Sequence, residues 1–267
     1  MQLHRFAVIP VLLVTGVVQP AAAEPFTFTP KAAGLNGGAF IADTFVLSDN
    51  AQITFGDNGT TFVDTGYLPV IGFQLNGQDV VAPGLLSPDG GGWGSYIRYS
   101  GSGTQVVSPT GLPVSATFQQ LSYSLVGYNG LATFGFAPDG SATTGGQVSG
   151  VTTLDTGSLV SGQLTFAFLP GQAAPTIIGQ VKASLTEVHN GLVQGEPTGL
   201  DVTFVHPPGE YVFTSPTALR VAGGNLSSAV LTVPEPASAA LLGAGLAGAG
   251  LLRRGRATGR TPGAGRA

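Results

Sequence analysis

Between Pro25 and Thr232, apolar side chains alternate with polar ones over short runs, and Gly, Asn, Asp or Pro break the runs. A period of two is the strand signal, because successive side chains of a strand leave on opposite faces. Leu164, Phe166 and Phe168 alternate with Gln163, Thr165 and Ala167, and Leu200, Val202 and Phe204 alternate with Asp201 and Thr203, so each triplet is expected to face a core. From Val114 to Leu125 the apolar positions are even at first (Val114, Ala116, Phe118) and then odd (Leu121, Tyr123, Leu125). The slip at Gln119-Gln120 predicts a β-bulge or a bend. The same pattern places strands over 40–47, 52–55, 68–75, 95–99, 131–136, 177–188 and 211–213. Pairs that accept positive φ separate them: Asp57-Asn58-Gly59, Asn76-Gly77, Asn129-Gly130, Asp139-Gly140 and Asn190-Gly191. No useful helical period occurs outside the two ends. The expected fold over 24–232 is therefore all-β, an antiparallel β-sandwich or jelly-roll-like arrangement.

Composition sharpens this picture. The chain holds 42 Gly and 19 Pro with only 9% charged residues, which excludes coiled coils and ordinary helical bundles. Disorder is disfavoured, because 43% of residues are hydrophobic and 15 are Phe, enough to build a core. Cysteine is absent, so disulfides, thiol catalysis and thiolate metal sites are excluded. Between Glu24 and Thr232, 13 acidic side chains face only Lys31, Arg98, Lys182 and Arg220. That acidic balance argues against nucleic acid and anionic lipid as partners and suits divalent cations or a neutral polysaccharide.

The two ends carry a different pattern. In residues 1–23, His4 and Arg5 precede the apolar run Phe6 to Val18, and Ala21-Ala22-Ala23 follows. This is the layout of a secretory signal, with Ala21 and Ala23 as the small residues for signal peptidase and cleavage after Ala23. At the other end Val233-Pro234-Glu235-Pro236 leads into uncharged residues 237–252, then Arg253-Arg254-Gly255-Arg256, with 257–267 as a flexible tail. Residues 237–252 make a helix of about 24 Å, a marginal span of a ~30 Å hydrocarbon core. Arg253, Arg254 and Arg256 would hold its end on the cytoplasmic side, leaving 24–232 outside.

Residues 233–256 resemble the PEP-CTERM sorting signal of Gram-negative bacteria. That resemblance implies processing by an exosortase, a membrane-embedded transpeptidase-like enzyme, transient anchoring in the membrane, and a place beside exopolysaccharide production. A fainter resemblance, to flocculation-associated PEP-CTERM proteins, rests on Phe26-Thr27-Phe28-Thr29-Pro30, Phe40-Ile41-Ala42-Asp43, the Tyr96 and Tyr99 pair, and Leu159-Val160-Ser161-Gly162 before Phe166. It implies a role in bacterial aggregation or biofilm within a polysaccharide matrix.

Candidate chemistry is sparse. Asp-Thr-Gly occurs twice, as Asp64-Thr65-Gly66 and Asp155-Thr156-Gly157, the motif with which aspartic proteases bring two carboxylates to one shared proton. Tyr67-Leu68 follows the first copy where those enzymes have small hydroxyl residues, so both copies are expected apart, in or beside turns. His189 precedes Asn190-Gly191 and His206 precedes Pro207-Pro208, and both are expected in loops. Asp49, Asp57 and Asp64 offer carboxylates to calcium but lack EF-hand spacing. In the Gly-rich stretch 89–96, Trp93 and Tyr96 offer faces for a sugar ring, while the competing role for Trp93 is to cap the core. The expected function is a non-enzymatic, cofactor-free structural or adhesive component of the cell surface or matrix. A secreted carbohydrate-binding module and an aspartic-type hydrolase are the alternatives.

The tail is testable directly. Pro234→Ala with Glu235→Ala and Pro236→Ala is expected to leave export intact and to trap an unprocessed form in the membrane. Mass and location are compared with wild type in a host that has an exosortase. Equal processing of both would reduce the tail to a generic anchor.

Overall fold

The structure is a computed structural model that describes residues 25–232 apart from 57–58, 88, 90, 110–111, 138–140, 169–173, 189–191 and 195–196. The signal segment 1–23, the sorting segment 233–256 with its helix 237–252, and the tail 257–267 lie outside the described residues. So do His189 and the turn residues 57–58, 139–140 and 190–191.

Thirteen strands are described: β1 (Phe26–Phe28), β2 (Phe40–Ala42), β3 (Thr44–Phe55), β4 (Thr61–Leu75), β5 (Gln78–Val80), β6 (Trp93–Val107), β7 (Pro113–Phe136), β8 (Ala142–Ala167), β9 (Thr176–Val188), β10 (Val193–Gln194), β11 (Gly199–His206), β12 (Tyr211–Ser215) and β13 (Ala218–Thr232). A 3-10 turn over Pro30–Ala33 accompanies them.

The long strands pair antiparallel with their neighbours in the order β3, β4, β6, β7, β8, β9, β11. β13 then pairs with β11 on one edge, Ala229 opposite Val202, and with β3 on the other, Ala229 opposite Phe45. The sheet closes on itself as an eight-stranded meander barrel, and β12 folds back as a hairpin on the first half of β13. This confirms an all-β antiparallel fold and corrects the sandwich or jelly-roll expectation. Alternation marks which side chains face inward, but the wall they face can belong to a second sheet or to the same one. No strand was expected over 218–232, where Gly223, Gly224, Asn225, Ser227 and Ser228 interrupt the apolar period.

The predicted register is largely observed. Leu164, Phe166, Leu200 and Val202 are buried and Gln163 and Thr165 exposed, with Phe204 half-buried. Phe168 is the correction, 44% exposed because β8 ends at Ala167. Gln119 is the extra residue of a bulge, since Ser102 faces Gln120 and Gly103 faces Phe118. Asn76-Gly77 turns β4 into β5 with φ of 52° and 74°. Asn129-Gly130 does not turn the chain between strands. It lies inside β7, where Gly130 at φ 97° kinks it.

β1, β2 and β10 form a small sheet with the aromatic residues that plug one end of the barrel. Phe28 stacks on Phe40 with centroids 5.1 Å apart, and Phe40 meets Phe73 edge-on at 4.6 Å. The opposite end opens as an apolar mouth of ≈ 610 Å³ bordered by Phe55, Leu112, Phe168, Phe213 and Pro216. Phe26 and Thr232 both sit at the plugged end, through the pairs Phe26 with Ala42 and Thr232 with Gly199. The interior is mostly apolar, and the outer face mixes Ser, Thr and Gln with exposed aliphatic side chains such as Val63, Val106 and Val160. Among the described residues no helix is long and apolar enough to cross a membrane.

The register has a simple check by urea denaturation. Leu164→Ala is expected to cost about 2–5 kcal/mol, and Thr165→Ala to stay within about 0.5 kcal/mol. The reverse order would mean that β8 is turned over.

Candidate functional site

Alternation along β3 and β11 carries polar residues into the barrel as well as apolar ones. Asp49 shares the inward face of β3 with Phe45, Leu47, Ala51 and Ile53, and His206 ends the inward row of β11. The His206 Nε2–H donates to Asp49 Oδ2 at 2.9 Å, and Nδ1 lies 3.4 Å from Glu210 Oε2. Burial pulls the His206 pKa down, but Asp49 and then Glu210 outweigh it and hold it above the ordinary histidine value. Asp49 and His206 thus form a buried ion pair, which needs its partner because either charge alone is costly in the interior.

Asp64 stands on the inward face of β4 nearby. Tyr99 donates its hydroxyl to Asp64 Oδ1 at 3.2 Å. Burial, reinforced by the charge of Asp49, pushes the Asp64 carboxyl up to about 8, so it is protonated at neutral pH. Asp49, Asp64, Tyr99 and His206 border one interior cavity of ≈ 50 Å³, otherwise walled by apolar side chains such as Leu68, Phe118 and Val181. That is room for about three waters and not for a sugar or a peptide.

The two Asp-Thr-Gly copies have a packing explanation. Gly66 lies opposite Tyr99 and Gly157 opposite Tyr123. A Cβ at Gly66 would come within 3.0 Å of the Tyr99 hydroxyl, and one at Gly157 would run into the Tyr123 ring and the Ser184 carbonyl oxygen. In each copy the Asp and the Gly share the inward face, and the missing side chain leaves space for a tyrosine from the next strand. Asp64 and Asp155 therefore sit within β4 and β8, both buried, and not in or beside turns as expected. The carboxylate that acts on Asp64 is Asp49, while Asp155 acts on Tyr123. His206 likewise belongs to the core and not to a loop.

Asp49 and Asp64 occupy the barrel interior, not a surface loop open to calcium, and Asp57 lies outside the described residues. Among the described residues no three His, Asp or Glu are grouped to hold a metal ion.

Trp93 is 1% exposed, donates its indole N–H to the Pro83 carbonyl at 3.0 Å, and lies beside Phe40 and Phe73. Neither ring face is free for a sugar, and Trp93 takes the competing role of capping the core, as part of the plug. Tyr96, three residues on, points to the outer face of β6 instead. Its ring lies among Tyr67, Tyr128 and Phe134 at centroid distances of 5.5, 6.0 and 5.2 Å. Phe134 belongs to the β7–β8 ribbon, which continues past the barrel rim beyond Gly130 and folds over the outer wall, with Phe136 under Arg220 at 5.1 Å. The fold does not bring Trp93 and Tyr96 together.

A family model described as the PEP-CTERM protein-sorting motif matches residues 232–256. The match takes in Val233, Pro234, Glu235 and Pro236 together with Arg253, Arg254 and Arg256. No curated protein and no solved structure matches the chain.

The buried cluster predicts a direction of pH dependence. Asp64 is protonated in the fold up to about pH 8 but titrates near 3.8 when exposed, so its contribution to stability is lost as pH rises between those values. The raised His206 contributes in the same sense, with stability present below 6.5 and lost as pH rises through its folded value. The melting temperature is expected to fall from pH 5 to pH 8, and Asp64→Asn, which stays neutral, to flatten that slope. A melting temperature that rises over this range in wild type would show that Asp64 is ionised in the fold.

Proposed function

We propose that this chain, an exported protein with a PEP-CTERM sorting motif processed by an exosortase, is a non-enzymatic structural or adhesive component of the bacterial surface or its exopolysaccharide matrix. The observation that carries this reading is the arrangement of the barrel relative to its sorting motif. The motif begins where β13 ends, at the plugged end, so whatever holds the chain at the membrane or transfers it elsewhere holds it by that end. The outer wall and the mouth bordered by Phe168 and Phe213 are left to face the surroundings.

Two further features support a structural role. The titratable side chains suited to acid–base work, Asp49, Asp64 and His206, line an interior cavity of ≈ 50 Å³, too small for a sugar or a peptide. The outer wall presents Ser, Thr and Gln with few charges, a surface that hydrogen-bonds to uncharged carbohydrate without large desolvation penalties. A carbohydrate-binding module is the second reading, favoured by the same wall.

Deletion of the gene in a strain that secretes exopolysaccharide is expected to reduce cell aggregation and the amount of matrix retained after washing. Complementation with the full chain restores both. An unchanged phenotype on deletion would remove the structural reading.

A further inference from the structure

The barrel wall is not uniform. β7 and β8 pair from Ser115 opposite Thr165 to Thr117 opposite Gln163, and again from Ser122 opposite Ser158 onward. Between these stretches, residues 118–121 and 159–162 make no ladder pairs with each other. The cause is local: the bulge at Gln119 on β7, and on β8 the register shift between Leu159 and Ser161 against β9. Backbone N–H and C=O groups that a regular wall would consume are therefore left at this gap.

A groove of ≈ 930 Å³ lies over the gap and extends across β9 to β11. Its polar lining is amide and hydroxyl. Gln119 projects from the bulge and Gln163 and Thr165 from β8, all exposed, and Gln180 stands on β9 with its amide held by both carboxylate oxygens of Asp201 at 3.1 Å. None of the lining side chains is ionisable. Val160 and Ile178, 66% and 44% exposed, add aliphatic surface along the same face.

We infer that this groove is a binding site for an uncharged polysaccharide. The ligand must offer many hydroxyls to amides and to unpaired backbone groups, since each of these, left dry and unpartnered, costs free energy. It must offer C–H faces to Val160 and Ile178, and it must carry no charge, because nothing in the lining would neutralise one. Neutral hexose chains meet all three requirements. A polyuronate meets the first two and fails the third, and the acidic excess of the chain works against it as well. The volume falls within the range of small-molecule clefts, so a short oligosaccharide stretch fills it. The inference rests on the matrix reading above and assigns it a contact face distinct from Trp93 and Tyr96.

The test uses the chain purified after export. Cellohexaose and maltohexaose are the neutral probes and an alginate oligosaccharide the acidic one, followed by calorimetry or by amide shifts of residues 159–163. At least one neutral probe is expected to bind at sub-millimolar to millimolar concentration, with the acidic probe at least ten-fold weaker. Gln119→Ala with Gln163→Ala is expected to weaken neutral binding at least ten-fold. Both positions are exposed, so the melting temperature should hold, and Thr143→Ala, exposed on the distant β7–β8 ribbon opposite Gly135, serves as the unaffected control. Absence of binding by both neutral probes at 10 mM, tighter binding of alginate, or neutral binding unchanged in the double variant would each overturn the inference. In cells the two proposals separate: if deletion abolishes matrix retention while the double variant restores it fully, the groove is wrong and the surface role stands. If deletion has no effect although the purified chain binds a neutral probe through Gln119 and Gln163, the groove stands and the structural role falls.

Discussion

The bridging position of β13 is the constraint on which the rest of the structure depends. Ala229 faces Val202 on one side and Phe45 on the other, with no side chain beyond a methyl group between the two walls, and it is fully buried. Without that strand, β3 and β11 would be long open edges, and the meander from β3 to β11 would be a curled sheet with both margins exposed to pairing. With it, every strand of the ring has two partners, and the exported chain needs no disulfide to hold its ends together. Closure also encloses a fixed volume, so whatever faces inward must fill it or be hydrogen-bonded there.

Much of the chemistry inside follows from that demand. Tyr99 and Tyr123 are large rings on neighbouring strands, and the interior accommodates them because the next strand outward in each direction carries a Gly opposite, Gly66 on β4 and Gly157 on β8. The carboxylates two positions before each Gly share its face. One of them is protonated beside Tyr99, and the other adds to the rise that burial, the larger cause, imposes on the Tyr123 pKa. Asp49 and His206 close the set as an ion pair stacked against Phe204, whose ring lies 5.3 Å from the imidazole. The consequence is a core whose stability is tied to proton occupancy, in a protein whose destination outside the cell exposes it to changing pH.

Closure also decides what the outside can do. With the aromatic residues consumed by the plug and by the Tyr67–Tyr96–Phe134 contact under the ribbon, the open wall is left with hydroxyls, amides and a few aliphatic side chains. The matched sorting motif starts at Thr232, at the plugged end, and the mouth lies at the other end of the barrel.

The sorting motif was legible because it is linear. Pro234-Glu235-Pro236, the apolar stretch and the Arg cluster follow one another in chain order, and the family match falls on the residues that pattern singles out. The β class, the inward faces of Leu164 and Leu200, and the bulge at Gln119 were also legible, since a period of two and its phase slip are properties of neighbouring residues. Asp49 falls between the expected strands 40–47 and 52–55, and His206 precedes two prolines, yet both keep the inward phase of β3 and β11. Their contact joins positions 157 residues apart, and nothing local announces it. The same holds for β13, whose small polar residues carry no strand pattern and become strand because two waiting edges satisfy their backbone. Trp93 and the two Asp-Thr-Gly copies carried chemical suggestions that composition could not resolve. Only the closed wall decided that the indole is a plug and that each Gly is space for a tyrosine, because burial and ring packing are set by what lies opposite, and closure alone determines that.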